Sequence, residues 1–278
     1  MGGTNTTNIA FIGFGEVGQT FARGLLKHQS VRIAAYDALE GTAAGVRLAE
    51  HAAAIGVTWC SAPALAVQDT DFIISAVTAS QAEAVAALVG RCLKPGQIFV
   101  DVNSAAPSTK QRAAQSISAS GAAYVEAAVM APVLKPGLQV PILSGGPLAV
   151  AASERLNAFG MNLKPVSDRY GIASAMKLCR SIMIKGLEAL MVDCAEASER
   201  WGVKDEVFAS LHATFPSIDF HALADDMRER VATHGVRRAA EMAEAGEMLA
   251  ALGMNPDLAK AVSAAQLRRA KSKSGGVG

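Results

Sequence analysis

The feature that most constrains this chain is a glycine-rich hexapeptide at residues 13–18, Gly-Phe-Gly-Glu-Val-Gly. It stands directly after a short apolar run at 9–12 and directly before a stretch with helical spacing. A GxGxxG pattern between a strand and a helix is typical of a dinucleotide-binding βαβ unit, in which the pyrophosphate lies on the helix N-terminus. The pattern predicts cofactor contacts at Gly13, Phe14, Gly15, Glu16, Val17 and Gly18.

Each glycine of the motif has a separate physical role. Gly13 permits the tight turn, Gly15 lets the backbone approach a pyrophosphate, and Gly18 lets the helix pack closely on the strand. The alternative interpretation is a glycine-rich turn with no ligand. The position of the motif between a strand and a helix favours the cofactor.

An acidic residue, Asp37, ends the second strand-like run about 20 residues further on, where this motif places the group that binds the adenosine ribose. A carboxylate there accepts hydrogen bonds from ribose hydroxyls and repels a 2′-phosphate. The predicted cofactor is therefore NAD, while Arg32 and Arg47 leave NADP open. A surface aspartate with no ligand is the alternative for Asp37.

Strand-like and helical segments alternate through the first part of the chain. The strand-like runs are 9–12, 31–36, 56–58, 72–76, 98–100, 124–129 and 140–143. Such alternation is typical of parallel β-α-β units in a doubly wound sheet. We therefore predict an α/β chain with a Rossmann NAD(P)-binding domain over residues 1–166.

After residue 166 the strand signal stops, so an all-helical domain for substrate binding and dimerisation is predicted over residues 167–278. A long interdomain helix, capped by Asp168, is predicted to run to about residue 200, with Gly202 just past its end. Further helices are predicted between breaks at Pro216, Gly235, Gly253 and Pro256.

Composition excludes several other classes of protein. The formal net charge is +1, so no nucleic-acid-binding face is predicted. No apolar run is long enough to span a membrane and no secretory signal is recognised, so a cytoplasmic protein is expected. The 4 cysteines lie far apart without a CxxC pattern, and no metal site is predicted.

Three segments with polar residues, 75–78, 101–107 and 126–132, follow strand-like runs. Ligands of open α/β sheets bind at the carboxyl ends of the strands. We therefore expect all three loops to face the ligand site. The further cofactor contacts predicted from them are Ala76, Val77, Thr78 and Asn103.

The long helix carries polar residues among apolar neighbours. Helical spacing puts these on one face: Lys177, Arg180, Ser181, Lys185 and Glu188. Cations on a half-buried face need an anionic partner, because an uncompensated buried charge is costly. A substrate carboxylate is one such partner, and a solvated stripe or a salt-bridge ladder is the alternative.

Taken together, these segments resemble the β-hydroxyacid dehydrogenases, the group related to 6-phosphogluconate dehydrogenase and 3-hydroxyisobutyrate dehydrogenase. The resemblance rests on IGFGEVG at 12–18, DVNSAAP at 101–107, YVEAAVMAPV at 124–133 and GIASAMKLCRS at 171–181. It implies that Lys177 is the general acid/base, which takes the proton of the substrate hydroxyl while hydride leaves for the nicotinamide. It also implies that Ser104, with Asn103 beside it, binds the substrate carboxylate.

The sequence departs from the family pattern around the substrate. Met-Ala-Pro at 130–132 replaces the usual Ser-Gly-Gly, and Pro132 has no N–H to offer. Ser181 stands where the family has Asn, and Arg180 and Ile184 stand where 6-phosphogluconate dehydrogenases have His and an acid. These departures indicate a divergent branch with a short helical C-terminal domain. The remaining predicted substrate contacts are Met130, Arg180, Ser181 and Lys185.

Three functions are compatible with this pattern. The leading hypothesis is an NAD(P)-dependent dehydrogenase of a small 3-hydroxyacid or sugar acid, and Arg180 and Lys185 favour a second anionic or polyhydroxy group. The alternatives are an imine or ketone reductase on the same scaffold and a non-catalytic dinucleotide-binding protein. Family members with this helical domain pair through it, so the resemblance also implies a homodimer.

Overall fold

An eight-stranded sheet organises the N-terminal part of the chain, within the residues 6–272 that the computed structural model describes. The order is β3-β2-β1-β4-β5-β6-β7-β8, parallel from β3 to β6, with β7 antiparallel to β6 and β8 parallel to β7. The order reverses between β1 and β4, which confirms the predicted Rossmann fold class. The strands are β1 (Thr7–Ile12), β2 (Val31–Tyr36), β3 (Thr58–Trp59), β4 (Phe72–Ser75), β5 (Ile98–Asp101), β6 (Ala123–Val129), β7 (Ile142–Gly145) and β8 (Leu163–Ser167).

Helices bury both faces of this sheet. In β1, Ile9 and Phe11 join one apolar cluster, whereas Ala10 and Ile12 join another on the opposite face. A central parallel strand is buried on both sides, which explains its continuous apolar sequence. The helices are α1 (Glu16–Leu25), α2 (Ala43–Ala54), α3 (Pro63–Ala66), α4 (Ala82–Gly90), α5 (Pro107–Ser118) and α6 (Ala149–Asn157).

The sequence prediction contained neither α6 nor β8. β8 lies at an edge of the sheet, and its Lys164 and Pro165 are exposed. Such a strand has neither a continuous apolar run nor a clear alternation, so the pattern that identified the central strands is absent from it.

The α-helices that follow the sheet are α7 (Ile172–Trp201), α8 (Lys204–Thr214), α9 (Phe220–Ala251) and α10 (Asp257–Ser272). The all-helical C-terminal region was predicted, and Gly202, with φ +70°, follows the end of α7 as expected. Residue contacts divide the chain into two compact units, Met1–Lys177 and Leu178–Gly278, so the division falls inside α7. The boundary predicted near residue 166 lies before this helix and stays a prediction.

Two predictions about these helices are wrong. Asp168 does not cap α7, because the carboxylate of Glu126 accepts the N–H groups of Gly171 and Ser174 at that helix end. Gly235 does not break a helix, since α9 continues through it. A Cβ at Gly235 would lie 2.6 Å from the carbonyl oxygen of Gln266, so this glycine allows α10 to pack closely against α9.

Candidate active site

The glycine-rich turn has the geometry that its sequence predicted. Gly13 has φ +89°, and a Cβ there would lie 2.4 Å from the carbonyl oxygen of Ala76 at the end of β4. A Cβ at Gly18 would lie 2.6 Å from the carbonyl oxygen of Gly13. Both positions therefore require glycine, because the turn and the start of α1 are packed against backbone atoms.

Gly15 differs, because a Cβ there would meet no atom within 4 Å. It stands at the N-cap of α1, and no side chain caps the helix there. The first N–H groups of an α-helix have no partner within the helix and attract anions. An open backbone at such a helix end fits a dinucleotide pyrophosphate.

Asp37 is held directly against this turn. Its Oδ2 accepts the backbone N–H of Phe14 at 2.8 Å, and its Oδ1 accepts the N–H of Leu39 at 3.0 Å. A carboxylate has about four lone-pair positions, so both oxygens can still accept ribose hydroxyls. The Phe14 side chain is buried and packs edge-on against Phe11 and Trp59, so it supports the turn from below.

The loops after β4 and β5 are joined by the side chain of Asn103. Its Oδ1 accepts the backbone N–H of Val77 at 2.6 Å, and its Nδ2 donates to Ser75 Oγ at 3.0 Å. Asn103 is 4% exposed. Its amide therefore sets the path of the backbone at 76–78, which contains three of the predicted cofactor contacts.

A buried ionic network holds the loop at 101–107 in place. The carboxylate of Asp101 accepts from Lys110 Nζ at 2.9 Å, from the Tyr124 hydroxyl at 2.7 Å and from the backbone N–H of Asn103 at 2.9 Å. The side chains of Asp101 and Lys110 are fully buried. Burial and the neighbouring carboxylate of Asp101 raise the pKa of Tyr124 well above its usual value, so its hydroxyl remains a donor.

Ser104 lies in the same loop. Its Oγ is buried and has no hydrogen-bond partner within the described range. A buried polar group without a partner costs about 1–3 kcal/mol, so a ligand that bonds to it recovers that free energy. This is the property expected of a residue that binds a substrate carboxylate.

The first turn of α7 is held close to this loop. Gly171, with φ +93°, precedes the helix, and a Cβ there would lie 3.1 Å from Cβ of Pro107, where α5 begins. The Glu126 carboxylate of β6 caps the helix through Gly171 and Ser174. Lys177, half-buried, follows Ser174 by one turn, so it lies on a helix whose start is anchored beside the Ser104 loop.

The other polar residues predicted on α7 have different surroundings. Lys185 is buried, with its Nζ 2.6 Å from Glu241 Oε2 of α9 and 3.1 Å from Ser181 Oγ, to which it donates. Glu188 is fully buried and pairs with Arg238. Arg180 is exposed. The anionic partner that the sequence required for Lys185 is therefore present within the chain itself.

Sequence reasoning assigned no role to Asp101, Lys110, Tyr124 or Glu126. A signal for two of them was present, since Asp101 and Glu126 are charged residues inside otherwise apolar strand sequences.

Met130, the remaining predicted substrate contact, directly follows β6 and is half-buried. It donates its N–H to the carbonyl oxygen of Pro141.

Two family models match the chain. The NAD-binding domain of 6-phosphogluconate dehydrogenase matches residues 8–135, and a domain of unknown function matches residues 187–268.

Among residues 6–272, no helix combines the length and apolar composition needed to cross a membrane. Over the same range, no group of three or more His, Cys, Asp or Glu residues is placed to hold a metal ion.

Solved structures resemble the chain over nearly its whole length. A conserved hypothetical protein from Sinorhizobium meliloti 1021 is 39% identical, with a TM-score of 0.83, over 98% of this chain and 92% of that one. A conserved protein of unknown function, described as structurally similar to 3-hydroxyacid dehydrogenases, is 30% identical, with a TM-score of 0.76, over 98% and 100%. The 3-hydroxyisobutyrate dehydrogenase of Mycobacterium tuberculosis shares the fold at 16% identity, with a TM-score of 0.78, over 96% and 94%.

Alanine substitutions at Gly13 and Gly15 should affect stability and NADH binding differently. Gly15→Ala should change the free energy of unfolding by no more than about 1 kcal/mol, since its Cβ meets open space, yet weaken NADH binding about tenfold or more. Gly13→Ala should lower both stability and binding. Urea unfolding and titration of NADH fluorescence measure the two quantities, and unchanged NADH affinity in Gly15→Ala would contradict the site.

Proposed function

This chain belongs to a divergent branch of the β-hydroxyacid dehydrogenase family, and from that membership we propose that it is an NAD-dependent dehydrogenase of a small hydroxy acid. The observation that supports this proposal is the close approach of Gly171 to Pro107, where an added Cβ would lie 3.1 Å from Cβ of Pro107, so that the start of α7 lies beside the Ser104 loop. Lys177 lies in the second turn of α7, so its amine and the buried Ser104 hydroxyl, which has no partner among the described residues, belong to neighbouring segments.

In the proposed reaction the chain binds the substrate and moves one proton. When bound, the nicotinamide cofactor supplies the hydride acceptor at the carboxyl ends of β1, β4 and β5. Ser104 Oγ donates a hydrogen bond to the substrate carboxylate, which satisfies its buried hydroxyl. Lys177 Nζ accepts the proton of the substrate hydroxyl during oxidation and returns a proton to the carbonyl oxygen during reduction.

We propose a substrate with a single anionic group. Lys185 was expected to favour a second one, but its ammonium is 2.6 Å from the Glu241 carboxylate, which neutralises it. Arg180, the other cation predicted to favour a second anionic group, is exposed. A small monocarboxylic hydroxy acid, held by Ser104, therefore fits the described charges better than a phosphorylated sugar acid does.

The two alternatives give different results with the same protein. An imine or ketone reductase would consume NADH with an imine or a neutral ketone and would not require the carboxylate. A non-catalytic protein would bind NADH without turnover of any substrate. A panel of hydroxy acids, ketones and cyclic imines, followed at the absorbance of reduced nicotinamide, separates the three functions.

Replacement of Lys177 tests the proposed acid/base. Lys177→Ala should lower kcat by about 10²–10⁴-fold, the usual contribution of general acid–base catalysis, and leave the Kd for NADH within a factor of two or so. Lys94→Ala is the matched control, because Lys94 is an exposed lysine of the same unit. Equal kcat values in Lys177→Ala and Lys94→Ala would refute the role of Lys177.

The choice of NAD over NADP is proposed from the charges at the end of β2. Asp37 and Glu40 belong to one turn, and Glu40 accepts a hydrogen bond from Trp59 Nε1, which holds a second carboxylate there. Arg32 lies at the other end of β2, where it donates to backbone carbonyl oxygens. The turn thus presents negative charge where a 2′-phosphate would be located.

NADH should accordingly bind about tenfold or more tightly than NADPH, a difference of about 1.4 kcal/mol. Glu40→Gln keeps an oxygen for the Trp59 hydrogen bond and removes the charge. It should therefore lower the ratio of the Kd for NADPH to the Kd for NADH. The two Kd values are measured by fluorescence titration at low ionic strength, where the repulsion is least screened. Tighter binding of NADPH by the wild-type protein would contradict the assignment.

We also propose that the protein is a homodimer that pairs through α7. Exposed apolar side chains follow a 4-3-4-3-4 spacing along this helix, the spacing of a helix-pairing seam. Met183 is 70% exposed, Leu190 is 69% exposed and Trp201 is 84% exposed. The exposed members of this stripe are Met183, Leu187, Leu190, Ala197 and Trp201, and the half-buried Cys194 occupies the remaining position of the spacing.

Light scattering during gel filtration should then give twice the chain mass of 28.7 kDa. The double variant Met183→Glu/Leu190→Glu should give a monomer, because two glutamates would enter an apolar seam. Val46→Glu changes a similarly exposed apolar residue of α2 and should remain dimeric. A monomeric wild-type protein, or a double variant that stays dimeric, would rule out pairing through this stripe.

A further inference from the structure

Two acidic side chains lie side by side in the middle of the sheet. Asp101 of β5 and Glu126 of β6 are register partners, and both are fully buried. A buried carboxylate is costly unless hydrogen bonds or opposite charges compensate it. The cost of burying each carboxylate is offset in a different way, and the difference suggests a role for Glu126.

Asp101 is compensated by a cation, because Lys110 Nζ lies 2.9 Å from its Oδ1. Glu126 is compensated by backbone groups, since its Oε2 accepts the N–H of Gly171 and its Oε1 accepts the N–H of Ser174. These N–H groups open α7, where the helix dipole also favours a negative charge. The start of α7 therefore supplies the hydrogen bonds that compensate the burial of this carboxylate in the sheet.

This cap differs from the usual one. A helix is most often capped by the side chain of its own N-cap residue, such as Ser, Thr or Asp. Here Gly171 precedes the helix and has no side chain, so the cap comes from a strand 45 residues earlier. Two hydrogen bonds from one carboxylate, to residues three positions apart, restrict both the axial position and the rotation of the first turn.

Lys177 lies three residues after Ser174, and residues three apart lie on one face of a helix. The rotation of the first turn therefore determines the direction in which the Lys177 side chain leaves the helix. We propose that Glu126 is a positioning residue for Lys177, which it serves by holding the first turn of α7 to the sheet. This inference rests on the proposed function of Lys177 as acid/base.

Glu126→Gln tests the inference. Glutamine keeps the size of the side chain, but it replaces one acceptor oxygen with a donor that faces an N–H group. We expect faster amide hydrogen exchange over 171–177, and kcat lowered roughly 10²-fold, the cost typical of a reacting group displaced by about 1 Å. The KM for NADH should not change, and Glu126→Asp, which keeps both acceptor oxygens, should recover part of kcat.

The matched control is Ser153→Ala. It removes a buried hydrogen bond between Ser144 and Ser153 and leaves α7 untouched. Its kcat and its exchange over 171–177 should equal those of the wild-type protein. If Glu126→Gln leaves exchange over 171–177 unchanged, or if its kcat equals that of Ser153→Ala, Glu126 does not position Lys177. Glu126→Asp provides the same comparison if Glu126→Gln does not fold.

A measurement that does not depend on enzymatic turnover separates this inference from the proposed function. The rate at which acetic anhydride acetylates Lys177, relative to exposed Lys94, can be measured by peptide mass spectrometry. Glu126→Gln should change this ratio at least twofold. If the wild-type protein oxidises no hydroxy acid, the proposed function fails, whereas an unchanged acetylation ratio in Glu126→Gln overturns the positioning role itself.

Discussion

The ion pair and hydrogen bonds of the buried Asp101 carboxylate are the interactions on which the loops at the carboxyl ends of β4 and β5 depend. Lys110, Tyr124 and the backbone of Asn103 all bond to this carboxylate. Asn103 in turn holds the backbone of Val77. A buried ion pair contributes little net stability compared with apolar residues of the same volume. We infer that this one is useful because it specifies a single path for two loops that have no regular structure.

Positions that depend on local geometry could be predicted from the sequence. The steric need for glycine at positions 13 and 18 was predicted correctly, since backbone atoms lie 2.4 Å and 2.6 Å from Cβ atoms added at Gly13 and Gly18. The central strand β1 was identified correctly because burial on both faces demands an unbroken apolar run. β8 was missed because an edge strand with Lys164 and Pro165 carries no such pattern.

The remaining features depend on partners far away in the chain. Lys185 was assigned to an anionic substrate, and its described partner is Glu241 on another helix. Asp168 was assigned as the cap of α7 because it precedes the helix, whereas the cap is Glu126, which comes from the sheet. The physical requirement, that a buried charge or a helix end needs a partner, was stated correctly in both cases. Sequence spacing alone does not identify which residue meets it.

The edges of the sheet have a consequence for how copies of the protein meet. An open β edge can recruit a strand from another molecule and lead to aggregation. One edge here is β3, which has 2 residues, and the other is β8, where Lys164 adds a charge and Pro165 lacks an N–H. Both edges therefore oppose the addition of a strand from another copy, and any contact between copies that spares the sheet must use helical surfaces.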